Sequence, residues 1–189
     1  MYTLEELQAI VNKCYRCPLS KTRTNVVFGE GNKNATIMFV GEGPGYYEDK
    51  TGRPFVGKAG KLFDNMIGAI GFKRQDTYIG NIVKCRPPNN RNPLEEESKI
   101  CIEFLRWQVK IIEPDIIICL GAVAARNIID KNFRITKNRG TWYTKGKFNI
   151  MATYHPAALL RDESKKKDAW KDFKSIHNMY KEISERRIK

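Results

Sequence analysis

Histidine and long apolar runs are scarce in this chain of 189 residues, and each shortage excludes a class of protein. The two histidines, His155 and His177, make a Cys2His2 zinc finger implausible. No run of about 18 apolar residues occurs, so we expect no membrane span. Internal repeats and low-complexity linkers are also missing, and we expect one domain over residues 1–189. The first ten residues mix charged and apolar side chains, unlike a signal peptide, which favours an intracellular protein.

Acidic residues are also in short supply. The 21 aspartates and glutamates are outnumbered by 34 lysines and arginines, which leaves a net charge of +13. An excess of this size adds self-repulsion and contributes nothing to folding as such. It does attract polyanions, chiefly nucleic acid. The charge therefore favours a nucleic-acid-binding protein over a surface that serves solubility alone.

Apolar segments alternate with helical patterns along the chain. This alternation predicts an α/β fold in a single domain, with three layers (α/β/α) around a mainly parallel four-stranded sheet. Sites in such folds form at the carboxyl ends of the strands, so the loops after these strands are the places to search. The predicted strands are Ala35–Val40, Tyr78–Val83, Asp115–Leu120 and Lys147–Ala152.

Two further segments carry definite structural predictions. Asn92 is predicted to be the N-cap of a helix that runs from Pro93 to Ile112, because proline suits the first helical position. The segment 153–161, which contains a proline, is predicted to be a loop.

The five cysteines argue for metal or redox chemistry, because disulfides are rare inside cells. Cys14 and Cys17 form a Cys-x-x-Cys pair, which can direct two thiolates at one centre, and the distant Cys85 and Cys101 can complete a set of four. Four thiolates suit zinc or an iron–sulfur cluster, and the wide spacing of the second pair favours the cluster over a zinc ribbon. Free structural cysteines are the remaining alternative. Cys119 lies within an apolar strand, where we expect core packing.

Four residues near strand ends have chemistry that suits a ligand. Glu42 lies between two glycines that permit a tight turn, and Phe55 lies in a loop where an aromatic ring can stack on a base. Asn81 offers a donor and an acceptor side by side, and His155 precedes a proline. Each residue also has a purely structural explanation. The alternatives are a solvated turn for Glu42 and core packing for Phe55. For Asn81 the alternative is an amide bonded to the backbone, and for His155 a structural histidine whose hydrogen bonds are made within the protein.

Five motifs in this order resemble those of the family 4 uracil-DNA glycosylases, the thermostable bacterial and archaeal type. The resemblance covers nearly the whole chain, and the joint order is far more specific than any single motif. The motifs are Cys14-x-x-Cys17-Pro18-Leu19, Gly41-Glu42-Gly43-Pro44-Gly45 with Glu48-Asp49, Gly52-Arg53-Pro54-Phe55-Val56-Gly57-Lys58-Ala59-Gly60, Asn81-Ile82-Val83-Lys84-Cys85-Arg86-Pro87-Pro88 and His155-Pro156-Ala157-Ala158-Leu159.

The resemblance implies a DNA-repair enzyme that flips uracil out of DNA and hydrolyses its N-glycosidic bond, without a metal at the active site. We identify no lysine nucleophile, so a monofunctional enzyme that leaves an abasic site is expected. The partner is uracil-containing DNA, single- or double-stranded; a sliding clamp is a candidate partner, and we expect a monomer. Four residues are the implied ligands of a structural 4Fe-4S cluster: Cys14, Cys17, Cys85 and Cys101.

The resemblance also implies roles in a uracil pocket. Phe55 would stack on the extruded base, and the Asn81 amide would accept from uracil N3–H and donate to O4. His155 would contact O2, and Glu48 is a candidate for excluding the methyl group of thymine. Backbone groups of three consecutive residues would line the pocket: Gly41, Glu42 and Gly43.

The residue that supplies the catalytic carboxylate differs from that of a related family. Family 1 enzymes position water with an aspartate, and Gly43 occupies the equivalent place in this chain. By elimination, Glu42 is the expected catalytic carboxylate, acting with His155, and Asn89 is a weaker candidate for holding water. Leu159, with Leu160 or Arg161 beside it, is a candidate wedge for the space that the base leaves; ordinary packing is the alternative.

Three other functions are compatible with part of these features. A family 5 glycosylase of broader base range is the enzyme alternative, although the Glu42 turn and Asn81 favour family 4. A non-catalytic iron–sulfur DNA-binding protein and an electron-transfer or redox-sensing protein are the others. Neither of these last two needs Asn81, Phe55 and His155 together at strand ends.

Overall fold

A six-stranded sheet forms the centre of the protein in the computed structural model, which describes residues 2–188. Its strands are β1 (Glu30–Gly31), β2 (Ile37–Gly41), β3 (Tyr78–Asn81), β4 (Ile116–Leu120), β5 (Trp142–Lys145) and β6 (Phe148–Thr153). The strand order is β1-β3-β2-β4-β6-β5. The four inner strands are parallel, and each edge strand pairs antiparallel with its neighbour.

Helices connect and cover the strands. They are α1 (Leu4–Asn12), α2 (Tyr46–Thr51), α3 (Lys58–Ala69), α4 (Glu95–Ile112), α5 (Ala122–Ile128), α6 (Ile135–Asn138), α7 (Pro156–Arg161) and α8 (Lys166–Ile188). Over residues 2–188, none of these helices combines the length and the apolar character needed to cross a membrane.

Both faces of the sheet are covered by helices. Alternate side chains of β2 enter different cores, Met38 and Val40 on one face and Ile37 and Phe39 on the other. Buried residues of α1, α4 and α5 pack on the first face, and those of α3 and α8 pack on the second. The predicted three-layer α/β/α fold with a mainly parallel sheet is therefore confirmed.

The predicted number of four strands is wrong, because both edge strands were missed. β1 has only two residues, which is too short to produce an alternating pattern. β5 is partly exposed and is joined to β6 by the two-residue turn 146–147, in which Gly146 has a φ of +59°. Glycine at positive φ is typical of two-residue hairpin turns, so Gly146 was the available signal.

Two predicted boundaries are also wrong. α4 begins at Glu95 with Leu94 as its N-cap, and Asn92 lies outside it. The Glu97 carboxylate accepts a hydrogen bond from the Leu94 N–H at 2.8 Å, which fixes the start of the helix. The predicted loop 153–161 contains the last residue of β6 and the whole of α7. Its proline starts α7, since proline has the φ that the first helical position requires.

Candidate active site

A cavity of about 590 Å³ opens at the carboxyl ends of the parallel strands. Residues that end or follow β2, β3, β4 and β6 line it. Glu42 and Gly43 follow β2, Asn81 ends β3, and His155 lies two residues after β6. The structure therefore brings together residues that are far apart in the sequence, at the edge of the sheet where α/β proteins bind ligands.

The Asn81 side chain has a buried oxygen without a hydrogen-bond partner. Asn81 is 2% exposed, and in the described part of the chain its Oδ1 is the one buried side-chain oxygen or nitrogen left unpaired. Such an acceptor costs about 1–3 kcal/mol when it stays unpaired. Gly41 makes room for it, because a Cβ there would lie 2.5 Å from Asn81 Oδ1 and 2.7 Å from Phe55 Cζ. The arrangement suits a ligand that donates a hydrogen bond to Oδ1.

Phe55 lies beside this amide in a strained backbone conformation. Its φ is +53°, which is unfavourable for a residue with a bulky side chain. Gly60 permits the loop, since a Cβ there would lie 1.9 Å from the Phe55 carbonyl oxygen. The Phe55 ring stacks near the His155 imidazole, with centroids 5.5 Å apart and planes 27° apart. Strain of this kind is typical of a loop held in place for binding or catalysis.

The strained Phe55 loop is held from both sides by charged groups. Glu48 Oε1 accepts hydrogen bonds from the Val56 and Gly57 N–H groups, both at 2.8 Å. The Arg74 guanidinium donates to the Phe55 carbonyl at 3.1 Å and to the preceding carbonyl at 2.6 Å. Arg74 was missed by sequence reasoning, because an isolated arginine in a short 3-10 turn carries no pattern that reveals its partners.

The His155 imidazole is a neutral hydrogen-bond donor toward the cavity. His155 is the N-cap of α7, and its Nδ1 accepts a hydrogen bond from the Ala157 N–H at 3.1 Å. Burial lowers the pKa of His155 to about 4; the nearby Arg161 lowers it further, and Glu48 opposes both. Near neutral pH the ring is therefore uncharged, and its proton lies on Nε2 because Nδ1 is the acceptor.

Glu42 places a partly buried carboxylate in the same cavity. Burial raises the pKa of Glu42 above its ordinary range, and the positive charge of Arg161 opposes this rise. Arg161 is exposed and lies on the wall of the cavity. Asn89, the weaker candidate for holding water, is exposed and outside the cavity lining, whereas its neighbour Asn90 lines it. The geometry therefore leaves Glu42 as the better placed carboxylate.

The leucine that was expected to enter DNA is buried in the protein. Leu159 is 1% exposed and packs in a small core with Tyr154 and Ala169. This burial supports the packing alternative for Leu159 and does not suit a wedge. The next residue, Leu160, is 48% exposed and directly precedes Arg161 at the cavity.

Four cysteines from distant parts of the chain line a second, smaller cavity: Cys14, Cys17, Cys85 and Cys101. Arg23 donates to Cys85 Sγ at 3.2 Å, and the Lys84 N–H donates to Cys101 Sγ at 3.2 Å. Within residues 2–188, no three Cys, His, Asp or Glu side chains are grouped closely enough to bind a single metal ion. The four thiols therefore share one cavity, without a single-ion site among them.

Cys119 belongs to neither cavity. It is completely buried in β4, within the core that α1, α4 and α5 cover. The prediction that this cysteine packs in the core is therefore confirmed, and it separates Cys119 from the other four cysteines.

Comparison with known proteins agrees with this geometry. The model of the uracil DNA glycosylase superfamily matches residues 28–174, a span that contains Glu42, Phe55, Asn81 and His155. A type-4 uracil-DNA glycosylase from Thermotoga maritima is 52% identical over 87% of this chain and 88% of its own length. A type-4 enzyme from Archaeoglobus fulgidus is 44% identical over 93% and 92%, respectively.

A type-5 uracil-DNA glycosylase from Pyrobaculum aerophilum is more distant, at 29% identity over 68% of this chain. The resemblance found in the sequence motifs is therefore confirmed at the level of the whole chain. The chain belongs to the uracil-DNA glycosylase superfamily and, within it, to the type-4 family.

Proposed function

We propose that this protein is a monofunctional DNA-repair glycosylase that flips uracil out of DNA and hydrolyses its N-glycosidic bond. The observation that carries the proposal is the unpaired Asn81 Oδ1, buried beside the Phe55 ring and the His155 imidazole. Uracil presents an N3–H donor between two carbonyl acceptors, O2 and O4. The Asn81 amide can accept from N3–H and donate to O4, while His155 Nε2–H donates to O2.

The same groups select against cytosine. Cytosine has an acceptor at N3 and a donor at its 4-amino group, which is the reverse of the uracil pattern. Bound cytosine would leave Asn81 Oδ1 facing another acceptor, and a mismatch of this kind in a buried site is strongly rejected. The two hydrogen bonds from Glu48 to the Phe55 loop support a role in shaping the pocket. We propose that Glu48, which lines the cavity, would lie near C5 of a bound base and exclude the methyl group of thymine.

The chemistry assigns different charges to the two sides of the cavity. Breaking the bond from N1 to C1′ places negative charge on uracil and positive charge on the sugar. The Nε2–H of neutral His155 stabilises the uracil anion without the cost of burying a cation. The Glu42 carboxylate, when ionised, stabilises the cationic sugar or orients the attacking water. Backbone groups of Gly41, Glu42 and Gly43 complete the turn around the base.

Hydrolysis by water is favoured over attack by a lysine. Among the described residues that line the cavity, none is a lysine. Lys84 lies nearby but is 1% exposed, and its ammonium donates to the Asn81 carbonyl and to Gln108. A covalent intermediate with the sugar requires an accessible amine. We therefore propose that the product is an abasic site.

The exposed rim of the cavity suits a nucleic acid strand. We propose that Leu160 fills the space of the flipped base and that Arg161 contacts a phosphate beside it, since apolar wedges and cations serve these purposes in DNA complexes. Action on DNA supports the expected intracellular location. The monomeric state and a sliding-clamp partner stay predictions.

We infer that Cys14, Cys17, Cys85 and Cys101 hold a structural 4Fe-4S cluster. The support is chemical: four cysteines, two of them in a Cys-x-x-Cys pair, line one cavity. A 4Fe-4S cluster takes four thiolates, and the wide sequence spacing of Cys85 and Cys101 is unlike that of a zinc ribbon. When bound, it would cross-link the loop after α1, the loop after β3 and α4.

A uracil-release assay with Asn81→Ala tests the proposal. The native protein should release uracil from single- and double-stranded oligonucleotides, and Asn81→Ala should lose at least about 100-fold in kcat/KM. Asn149→Ala is the matched control, because Asn149 lies near the start of β6, at the opposite end of the sheet from the cavity.

Two results would contradict the proposal. Absence of uracil release by the native protein would favour the alternative of a non-catalytic DNA-binding protein. Full activity of Asn81→Ala would show that Asn81 does not read the base. Comparable release of bases other than uracil would favour the broader type-5 activity.

A further inference from the structure

Lys84 is a buried lysine that the proposed reaction does not use. It is 1% exposed and lies between the uracil-reading end of β3 and the cysteine that follows it. Burial of an ammonium group is costly unless hydrogen bonds and nearby negative charge compensate for it. A lysine retained at such a position therefore needs an explanation from its contacts.

The contacts of Lys84 connect the two candidate sites. Its Nζ donates to the Asn81 backbone carbonyl at 3.0 Å and to Gln108 Oε1 at 2.6 Å. Its own backbone N–H donates to Cys101 Sγ at 3.2 Å. Gln108 and Cys101 both belong to α4, so one residue touches the amide-bearing strand end and the helix that carries a cysteine ligand.

The far side of this network is also anchored. Gln108 Nε2 donates to the Tyr78 hydroxyl and to the Phe28 carbonyl, both at 2.9 Å. Gln108 is completely buried, as is Tyr78 at 1% exposure. A buried polar network whose members are all bonded holds its parts rigidly. The ammonium of Lys84 therefore lies at a fixed place relative to both ends of β3.

We propose that Lys84 is a positioning residue that couples the uracil-reading amide of Asn81 to the cysteine site, an inference that rests on the proposed function. Asn81 Oδ1 has no protein partner, so the direction of the amide depends on its backbone and on packing against its neighbours. Lys84 holds that backbone at the Asn81 carbonyl. Its positive charge also offsets the negative charge that four thiolates bring to the cluster.

The contacts of Lys84 imply an order of assembly. A filled cysteine site fixes α4 through Cys101, and α4 fixes the Lys84 ammonium through Gln108. The Asn81 amide then lies ready for N3–H before any base arrives, and preorganisation of this kind increases affinity. Disturbance at the cysteines is therefore transmitted to base recognition without a change in the residues that touch uracil.

The test compares Lys84→Met with Lys145→Met in the cluster-containing protein. Methionine keeps the approximate volume and removes the charge and the donors. The Lys145 ammonium also donates to two backbone carbonyls, but Lys145 pairs with the first residue of β6, at the opposite end of the sheet from the cavity. Two probes are used: an oligonucleotide with an uncleavable 2′-fluorinated deoxyuridine, and the same strand with a tetrahydrofuran abasic site.

The inference predicts a split between the two probes. Lys84→Met should bind the uracil analogue about tenfold more weakly while binding to the abasic strand stays within about twofold, since only the base uses Asn81. Lys84→Met should also lose its absorbance at about 400 nm faster in the presence of a chelator, because the thiolates lose a compensating charge. Lys145→Met should match the native protein in both measurements.

Several outcomes would overturn the inference. Equal weakening for both probes would indicate general damage, and native-like binding of the uracil analogue would show that Lys84 does not position Asn81. If Lys84→Met does not fold, Gln108→Met carries the test, with about threefold weaker binding of the analogue expected and native-like binding counting against the inference. Absence of uracil release by the native protein would instead reject the proposed function.

Discussion

Single atoms decide the shape of the uracil pocket, and the hydrogen of Gly41 is the clearest case. A methyl group at this position would lie 2.5 Å from Asn81 Oδ1 and 2.7 Å from Phe55 Cζ. Neither neighbour can move without loss, because Asn81 is the proposed reader of the base and Phe55 lies in a strained loop. The pocket therefore depends on a residue that makes no side-chain contact of its own.

The prediction is that Gly41→Ala folds but is a poor enzyme. Displacement of the amide and the ring by about 1 Å should reduce kcat/KM about 100-fold. The control is Gly68→Ala in α3, where an added Cβ meets no atom within 4 Å and should raise stability by up to about 1 kcal/mol. Uracil-release kinetics and thermal unfolding check both variants, and native-like kcat/KM in Gly41→Ala would contradict the expected crowding.

The two titratable groups of the pocket predict the pH dependence of activity. In the proposed mechanism Glu42 acts when ionised, and burial raises its pKa, so kcat/KM should fall as the pH decreases through a value above about 4.3, the ordinary glutamate pKa. His155 acts when neutral and its pKa is about 4, so no inflection should appear near the ordinary histidine value of about 6.5. A pH–rate profile of native protein and Glu42→Gln checks this. The variant should be less active, and its acid limb should move down toward the His155 pKa of about 4; an inflection near pH 6.5 would contradict the neutral His155.

At the scale of elements, the Phe55 loop depends on partners in other segments. Arg74 donates to two carbonyls of the loop and pairs with Glu30 and Asp64. Arg53 also pairs with Glu30, but its side chain is 62% exposed. Exposed ion pairs contribute little, whereas a guanidinium that bonds backbone carbonyls determines a conformation.

Arg74→Met should therefore lower kcat/KM about tenfold, because Phe55 can leave its strained conformation when the carbonyls lose their donors. Arg53→Met removes an arginine from the same glutamate and should change kcat/KM by less than about twofold. Steady-state uracil release and melting temperature distinguish the two. Equal effects of both variants would show that the Glu30 pairs matter and the loop carbonyls do not.

The elements also show where sequence reasoning succeeds and where it fails. β2 and β4 were found because strands buried on both faces are continuously apolar, and the carboxyl ends of the four inner strands identified the site. Edge strands were missed, since β1 is too short and β5 is half exposed. α7 was missed because a proline was taken as part of a loop when it starts a helix. Arg74 and Lys84 act through backbone carbonyls, and no local pattern in the sequence predicts such contacts.

At the scale of the whole molecule, the cysteines connect parts of the chain that are distant in sequence. Cys14 and Cys17 follow α1, Cys85 follows β3, and Cys101 lies in α4. A group bound by all four would hold these segments together, so its binding energy contributes to folding.

Cys101→Ser should therefore lose the absorbance at about 400 nm and unfold at a lower temperature. Cys119→Ala is the matched control, because Cys119 lies in the core of β4 away from the other cysteines. It should keep the absorbance, although the cavity it creates also lowers stability. Visible spectra and iron content, both normalised to protein concentration, decide the matter, and undiminished absorbance in Cys101→Ser would reject Cys101 as a ligand.

The net charge of +13 predicts how binding responds to salt. Each phosphate contact releases counterions, so affinity for the abasic strand should fall at least tenfold between about 50 and about 200 mM salt. Inhibition by free uracil should stay constant, since its contacts are hydrogen bonds in a buried pocket.

Arg161 is exposed at the cavity, and Arg161→Gln should reduce the slope of log affinity against log salt by about one. Lys145→Met, at the other end of the sheet, should leave the slope unchanged, and equal slopes for both variants would place the DNA away from Arg161.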